Sequence, residues 1–416
     1  MRIQVFGDTI GFSRIGGGAM IERAEYLDRL IGYRDKQVIK IITGIRRCGK
    51  STLLALFQQY LMKNGAAPKN ILAINFEDYD NKSLCDPEAL HEFIISRAAS
   101  KGRTYIFLDE IQNVPEFQRV VDSLHIRKNL DLYITGSNAR LLSGDLATLL
   151  AGRYVEIEML PLSFREYVSA AGRENLPLRY REYLENSSFP GALEFTGSQK
   201  HLLGYLQGVY DSVVLKDVVA RYKIQDVMML ESLARFAFDT IGSFLSAKSI
   251  SNAMNADGRK IDVKTVERYL QALMDSYILY QAKRYDIKGK QYLKTLEKYY
   301  AVDIGLRSLL LGKRGADAGH ILENVVYLEL LRRGYQVSIG KVDTLEIDFV
   351  AMNQGGQSYF QVAATAREQT VLERELTPLR KISDHYPKYI LTLDEDPEAD
   401  YDGIRRLRAL DWLLDG

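Results

Sequence analysis

Two cysteines, Cys48 and Cys85, are all that the 416 residues contain. A disulfide framework and a thiolate metal cluster are therefore both excluded, which fits a reducing compartment, and a cytoplasmic location is expected. A large charge of one sign is missing too. Fifty-five basic side chains face 54 acidic ones, a formal net charge of +1, so any nucleic-acid surface has to be a local patch. Long apolar runs are lacking. "VIKII" and "YIFL" are far shorter than a membrane span, and no membrane partner is expected. The first residues, "MRIQVFGDTIGFSRIGGGAM", lack the charged-then-apolar layout of a signal peptide and show no clear period. Residues 1–19 are expected to be a disordered N-terminal extension. No internal repeat and no low-complexity linker interrupts the chain. What remains is ordinary globular material, 46% hydrophobic and 26% charged. At roughly 100–200 residues per domain, it divides into two to four domains.

The first half alternates short apolar strands with helical stretches. The strands are "VIKIITG", "ILAINFED", "TYIFLDE", "DLYITGS" and "YVEIEML". They read as near-continuous apolar runs, the pattern of a parallel sheet covered on both faces. Helical patterns fall near 51–64, 87–100, 116–127 and 138–150. From residue 164 the strands stop and amphipathic helices take over, until mixed structure returns near the C-terminus. The expected fold class is α/β, with a parallel-sheet nucleotide-binding core over 20–163. A helical lid or linker follows over 164–230, then a winged-helix-like region over 231–303 and a small α/β region over 304–416.

"TGIRRCGKSTLL" lies directly after the first strand. Gly44, Ile45, Arg46, Arg47, Cys48, Gly49, Lys50 and Ser51 match the spacing G-x-x-x-x-G-K-[ST], with Thr52 continuing into the helix. Chance alone would produce such a match in about one or two chains in a hundred. The glycines let the backbone curl so that successive N–H groups face one anion. The following helix adds its free N–H groups and positive dipole end. Lys50 is expected to reach the β- and γ-phosphates and Ser51 to ligate Mg2+. The ligands implied are ATP or ADP with Mg2+.

"YIFLDE" ends in the acidic pair Asp109 and Glu110. Asp109 is expected to hold Mg2+ and Glu110 to polarise the attacking water. One strand intervenes between loop and pair, and the acids are adjacent. Both features separate the pattern from kinases and Ras-like GTPases, toward ATPases that use a carboxylate base. Asn138, at the end of the next strand, is expected to reach the γ-phosphate or the water. Arg153 is expected to act as an arginine finger, in cis or from a neighbouring subunit of a homo-oligomer. Arg46 and Arg47 suit phosphate or partner contacts equally.

"TGIRRCGKSTLL", "IFLDEIQNV", "ITGSNARLLSGDLATLLAGRYVEIEMLPLSFREY" and "EIDFVA…YFQVA" together resemble the prokaryotic AAA-type ATPases that carry a C-terminal domain of unknown function. The resemblance covers nearly everything after Met20. It implies ATP binding and hydrolysis in the first domain and supplies no defined cellular task.

In the middle region, Val266, Leu270, Leu273 and Ile278 fall on one helical face. The order helix, turn, long helix, hairpin reads as a winged helix. Lys264, Thr265, Arg268, Lys283 and Arg284 are its expected contacts to double-stranded DNA. Ten basic and five acidic residues between Arg259 and Lys298 make this a local positive patch. Further on, Glu323 on a helix, Asp348 ending "EIDFV" and Gln361 in "YFQVA" resemble the order of a PD-(D/E)XK nuclease site. Ala363, however, stands where that motif has lysine, so the site reads as degenerate, with Lys388 or Arg367 as candidate substitutes. The expected function is Mg-dependent ATP hydrolysis coupled to DNA engagement. The alternatives are an ATP-dependent nuclease and an ATP-controlled signalling or oligomerisation switch.

Overall fold

The computed structural model describes residues 21–142, 150–293, 296–312 and 317–415. The expected extension over 1–19 and most of the helix expected near 138–150 lie outside the described residues. The chain forms two compact units. The first comprises residues up to Pro161 together with Asp275–Tyr277, and the second the remainder.

The first unit is an α/β layer structure. Helix α1 (Ala24–Gly32) leads into strand β1 (Ile39–Thr43), and helix α2 (Lys50–Lys63) follows the glycine loop. Then come β2 (Ile71–Asn75), α3 (Pro87–Arg97), β3 (Thr104–Asp109), α4 (Phe117–His125), β4 (Leu130–Thr135) and β5 (Tyr154–Glu158). The five strands are all parallel, in the order β2-β3-β4-β1-β5. Strands β1, β3 and β4 are buried along their whole length, as apolar runs without alternation require. Ile41, Ile74, Ile106 and Leu132 from the sheet pack with Leu90 and Ile94 of α3 and with Val121 and Leu124 of α4. Because β4 lies between β1 and β3, the loop after β1 and the acids ending β3 open at the same carboxyl edge, two strands apart. In open α/β sheets this edge is where ligands bind.

The second unit opens with helices α5 (Phe164–Ala171), α6 (Leu176–Asn186) and α7 (Gln199–Ser212). The last continues as a π-helix over Val213–Ala220 before α8 (Val227–Asp239). Helix α5 starts on a capping box. Ser163 Oγ accepts the Glu166 N–H, and Glu166 accepts the Ser163 N–H. Next come β6 (Phe244–Leu245), α9 (Ala247–Ala256), α10 (Val263–Asp275), β7 (Leu279–Ala282) and β10 (Glu297–Ala301). The three strands form an antiparallel sheet in the order β6-β10-β7. Val266, Leu270 and Leu273 are buried on α10, as the helical spacing predicts, whereas Ile278, expected on the same face, is buried beyond the helix end at Asp275.

The hairpin between β7 and β10 departs from expectation. Strands β8 (Arg284–Asp286) and β9 (Gln291–Tyr292) leave the small sheet, and β8 pairs in parallel with β11 (Gln336–Val342). They thereby become one edge of an eight-stranded sheet ordered β15-β16-β14-β13-β12-β11-β8-β9. Residues assigned by sequence to the winged-helix-like region thus complete the C-terminal sheet. Its other strands are β12 (Leu345–Asn353), β13 (Gly356–Ala363), β14 (Lys388–Thr392), β15 (Ala399–Tyr401) and β16 (Ile404–Arg408). Helix α11 (Ile304–Leu311) precedes α12 (Ala318–Arg332). One sheet face packs on α12, where Tyr300 stacks on Tyr327 with centroids 4.2 Å apart and Phe349 packs tilted against both at 5.8 Å. The other packs on α13 (Gln369–Arg380) through Ile347, Val350, Tyr359, Leu372 and Leu376. Asp303 serves as the N-cap of α11, accepting the Leu306 N–H at 2.7 Å. No helix among the described residues is long and apolar enough to cross a membrane.

Candidate nucleotide-binding site

The loop between β1 and α2 takes a shape few side chains permit. Gly44 has φ 135°, and a Cβ there would stand 2.2 Å from the Met159 carbonyl oxygen. Gly49 has φ 106° and Arg47 φ 65°. Three left-handed residues in six curl the backbone into a cup ahead of the α2 N-terminus. Lys50 is only 4% exposed. Its ammonium donates to the Gly44 and Ile45 carbonyls at 2.9 and 3.1 Å, and lies 3.8 Å from Glu110 Oε1. The cation is thus held inside the loop and aimed at the acidic pair.

Asp109 ends β3 in a buried position and accepts hydrogen bonds from the hydroxyls of Ser51 and Thr135, the latter at 2.5 Å. Burial raises its pKa above the ordinary carboxylate range, against the pull of those two bonds. Glu110 sits in the left-handed region, φ 56°, and its N–H donates to Thr135 Oγ1 at 2.8 Å. That conformation turns Glu110 out of the strand toward Lys50. Burial acts to raise the Glu110 pKa as well, but the Lys50 ammonium and a hydrogen bond from Gln112 outweigh it and hold the group ionised. Of two adjacent buried acids, one is therefore bonded to two hydroxyls and the other stands beside a cation. The hard oxygen set of Ser51 and Asp109 suits a magnesium ion, and a carboxyl raised by burial is one that such an ion would keep ionised.

Residues 36–168 match the family model described as "AAA domain". Residues 178–317 match another described as "Domain of unknown function (DUF8612)". An uncharacterized protein of Haemophilus influenzae is 40% identical over 401 residues, covering 95% of this chain and 99% of its own length. The chain belongs to a family of AAA-domain proteins. A more distant relative, the uncharacterized protein MJ1544 of Methanocaldococcus jannaschii, is 28% identical, covering 82% of this chain and 78% of that protein. Among solved structures, the Walker-type ATPase paby2304 of Pyrococcus abyssi covers 70% of this chain and 96% of its own, at 16% identity and a TM-score of 0.47.

Within the AAA domain, the other expected site residues divide. Asn138 is buried just beyond β4, at the same carboxyl edge as the loop. Arg46 pairs with Glu77 at 2.7 Å, while Arg47 is exposed. Arg153 is not placed to act in cis. Its carbonyl accepts the N–H of Ile39 at the start of β1, the opposite sheet edge, and its guanidinium pairs with Asp122 of α4. Five residues of strand, about 16 Å, separate that edge from the loop. Gly152 and Arg153 close the turn into β5, so the arginine belongs to the amino edge of the sheet.

Three contributors were not legible in the sequence. Arg23, 3% exposed, donates to the Cys48 carbonyl at 2.9 Å and the Leu160 carbonyl at 2.6 Å, clamping the loop from below. Thr135 bridges both acids, and Gln112 donates to Glu110. Arg23 and Thr135 reach groups at least 25 residues away, so no local motif marks them, whereas Gln112 lies two residues from Glu110 and no spacing rule singles it out.

In the second unit, Lys264 and Arg268 are exposed on α10. Thr265 is bonded to the Asp262 carboxylate at the helix start, its hydroxyl at 2.7 Å. Lys283 is exposed, while Arg284 lies over the Phe244 ring, 4.9 Å from its centroid. Glu323 on α12 and Asp348 on β12 come together, and the Gln361 side-chain oxygen accepts the Asp348 N–H at 2.7 Å. The suggested substitute cations are elsewhere. Lys388 donates to the Asp384 carbonyl, and Arg367 pairs with Asp394 and Asp396.

Proposed function

We propose that this protein is an ATPase whose nucleotide cycle controls its engagement of double-stranded DNA. The observation that carries the catalytic half is the approach of Lys50 to Glu110, 3.8 Å apart at the carboxyl edge, with the Ser51 hydroxyl bonded to Asp109. Lys50 would bind the β- and γ-phosphates in place of its two loop carbonyls. Ser51 and Asp109 would hold Mg2+, which when bound neutralises charge on the phosphates. Glu110, kept ionised by its neighbours, orients water in line with the γ-phosphate. Asn138, just beyond β4, would reach the γ-phosphate or that water.

The DNA half rests on the order α8, β6, α9, α10, β7, β10, which is that of a winged helix, and on the exposed Lys264 and Arg268 of α10. The positive patch is smaller than the sequence count of ten suggests, because Lys298 is buried in ion pairs and Lys288 pairs with Asp343 at 2.5 Å. Steady-state ATP turnover measured with and without duplex DNA tests the reading as a whole. Stimulation of several-fold is expected. Turnover indifferent to DNA, together with nucleotide-dependent self-association, would transfer the conclusion to a switch acting on protein partners.

A further inference from the structure

Glu323, Asp348 and Gln361 follow the order of a nuclease metal site, yet the space among the carboxylates already contains a cation. Lys298 reaches in from β10. Its ammonium lies 2.9 Å from Glu323 Oε1 and 2.5 Å from Glu346 Oε1, and its side chain is 6% exposed. The Tyr300 hydroxyl, from the same strand, donates to the same Glu323 oxygen at 2.6 Å. His320 Nδ1 stands 3.8 Å from the other Glu323 oxygen. Asp348 Oδ2 accepts the Val362 N–H at 2.8 Å. Gln361 is engaged as well, accepting from the Asp348 N–H and donating to Glu375 at 2.9 Å.

We infer that Lys298 is a built-in cation standing where a divalent metal would stand, so that this acidic cluster is a metal-independent joint between the three-stranded and eight-stranded sheets and not a hydrolytic centre. Three observations favour this over a displaced catalytic lysine. A lysine that serves as base must lose its proton readily, whereas burial, which acts to lower the Lys298 pKa, is outweighed by Glu323, Asp348 and Glu346, and the group is held charged. A metal at this point would have to displace the ammonium, which lies against a Glu323 oxygen that also accepts from Tyr300. Asp348 is likewise engaged, its Oδ2 accepting the Val362 N–H of the neighbouring strand. The pieces of a metal site are thus present in order, but the donor set does not fit a metal while the ammonium remains.

The test uses the full chain as wild type, Lys298→Met, and Lys298→Met/Glu323→Gln. Thermal unfolding is followed in nucleotide-free buffer with EDTA and with Mn2+. The wild type is expected to shift by less than about 1 °C between the two. Lys298→Met is expected to melt roughly 5–15 °C lower in EDTA, because unpaired carboxylates remain buried, and to regain at least half of that loss with Mn2+. The double variant, missing both charges of the pair, should melt above the single one. Should Lys298→Met fail to fold, a double variant that folds supports the pairing, and one no more stable than the single variant overturns it. A wild type stabilised several degrees by Mn2+, with that gain lost in Asp348→Asn, overturns the inference. So does a Lys298→Met chain that melts with the wild type.

Discussion

Lys50 donates to the carbonyls of Gly44 and Ile45, two residues of the very loop it serves. The ammonium is therefore positioned by bonds that a triphosphate can replace one for one, with little rearrangement to order it. Lys50→Ala is expected to abolish nucleotide binding, measured by calorimetry. Glu110→Gln keeps shape and loses the negative charge, so ATP affinity should persist while turnover falls about 100-fold or more; normal turnover by that variant would remove Glu110 from its role. Arg23 invites a different measurement. Cutting it to Ala leaves two buried carbonyls, those of Cys48 and Leu160, without donors. A loss of about 2–4 kcal/mol in denaturant unfolding is expected, with weakened ATP affinity. At this scale the sequence announced the glycines, the lysine and the acids, because their chemistry depends on spacing along the chain. It was silent on Arg23, which is 25 residues from one partner and 137 from the other.

Between residue and molecule stands the strand order. The five apolar runs of the first unit were readable because a strand buried on both faces has no polar alternation to blur it. Their order, with β4 between β1 and β3 and the strand that separates loop from acids along the chain at the sheet edge, was not written in those runs. The β8–β9 hairpin was not readable in this way. "RYD" and "QY" are short and half exposed, and the partner strand β11 begins more than 40 residues later. Lys298 was misread for a related reason. It was counted with a solvent-facing basic stretch, yet it sits on a buried strand facing acids of two other elements. The loop between β1 and α2 carries its own prediction. Gly44→Ala would press a methyl into the Met159 carbonyl at a φ that side chains avoid. Nucleotide affinity should collapse even though every charged group survives, whereas Gly32→Ala, at a helical glycine of α1 with open space around it, should leave affinity intact.

Across the whole molecule, near-neutral charge makes DNA binding a question of where basic groups stand. If α10 meets the duplex, removing Lys264 and Arg268 together should lower affinity and reduce the slope of log affinity against log salt by about 2, one for each lost phosphate contact. A slope unchanged in the double variant would detach α10 from DNA. The same scale governs how the chain can be dissected. A fragment beginning at residue 304, where sequence alone would cut, discards β8 and its partner β9. It bares the flank of β11 as a row of unmatched amides and carbonyls, a template for pairing with other copies. Such a fragment should precipitate when expressed alone, while one that keeps the stretch from β6 onward should stay in solution. The smallest separable piece of this region is therefore set by who completes the sheet, not by where the helical pattern ends.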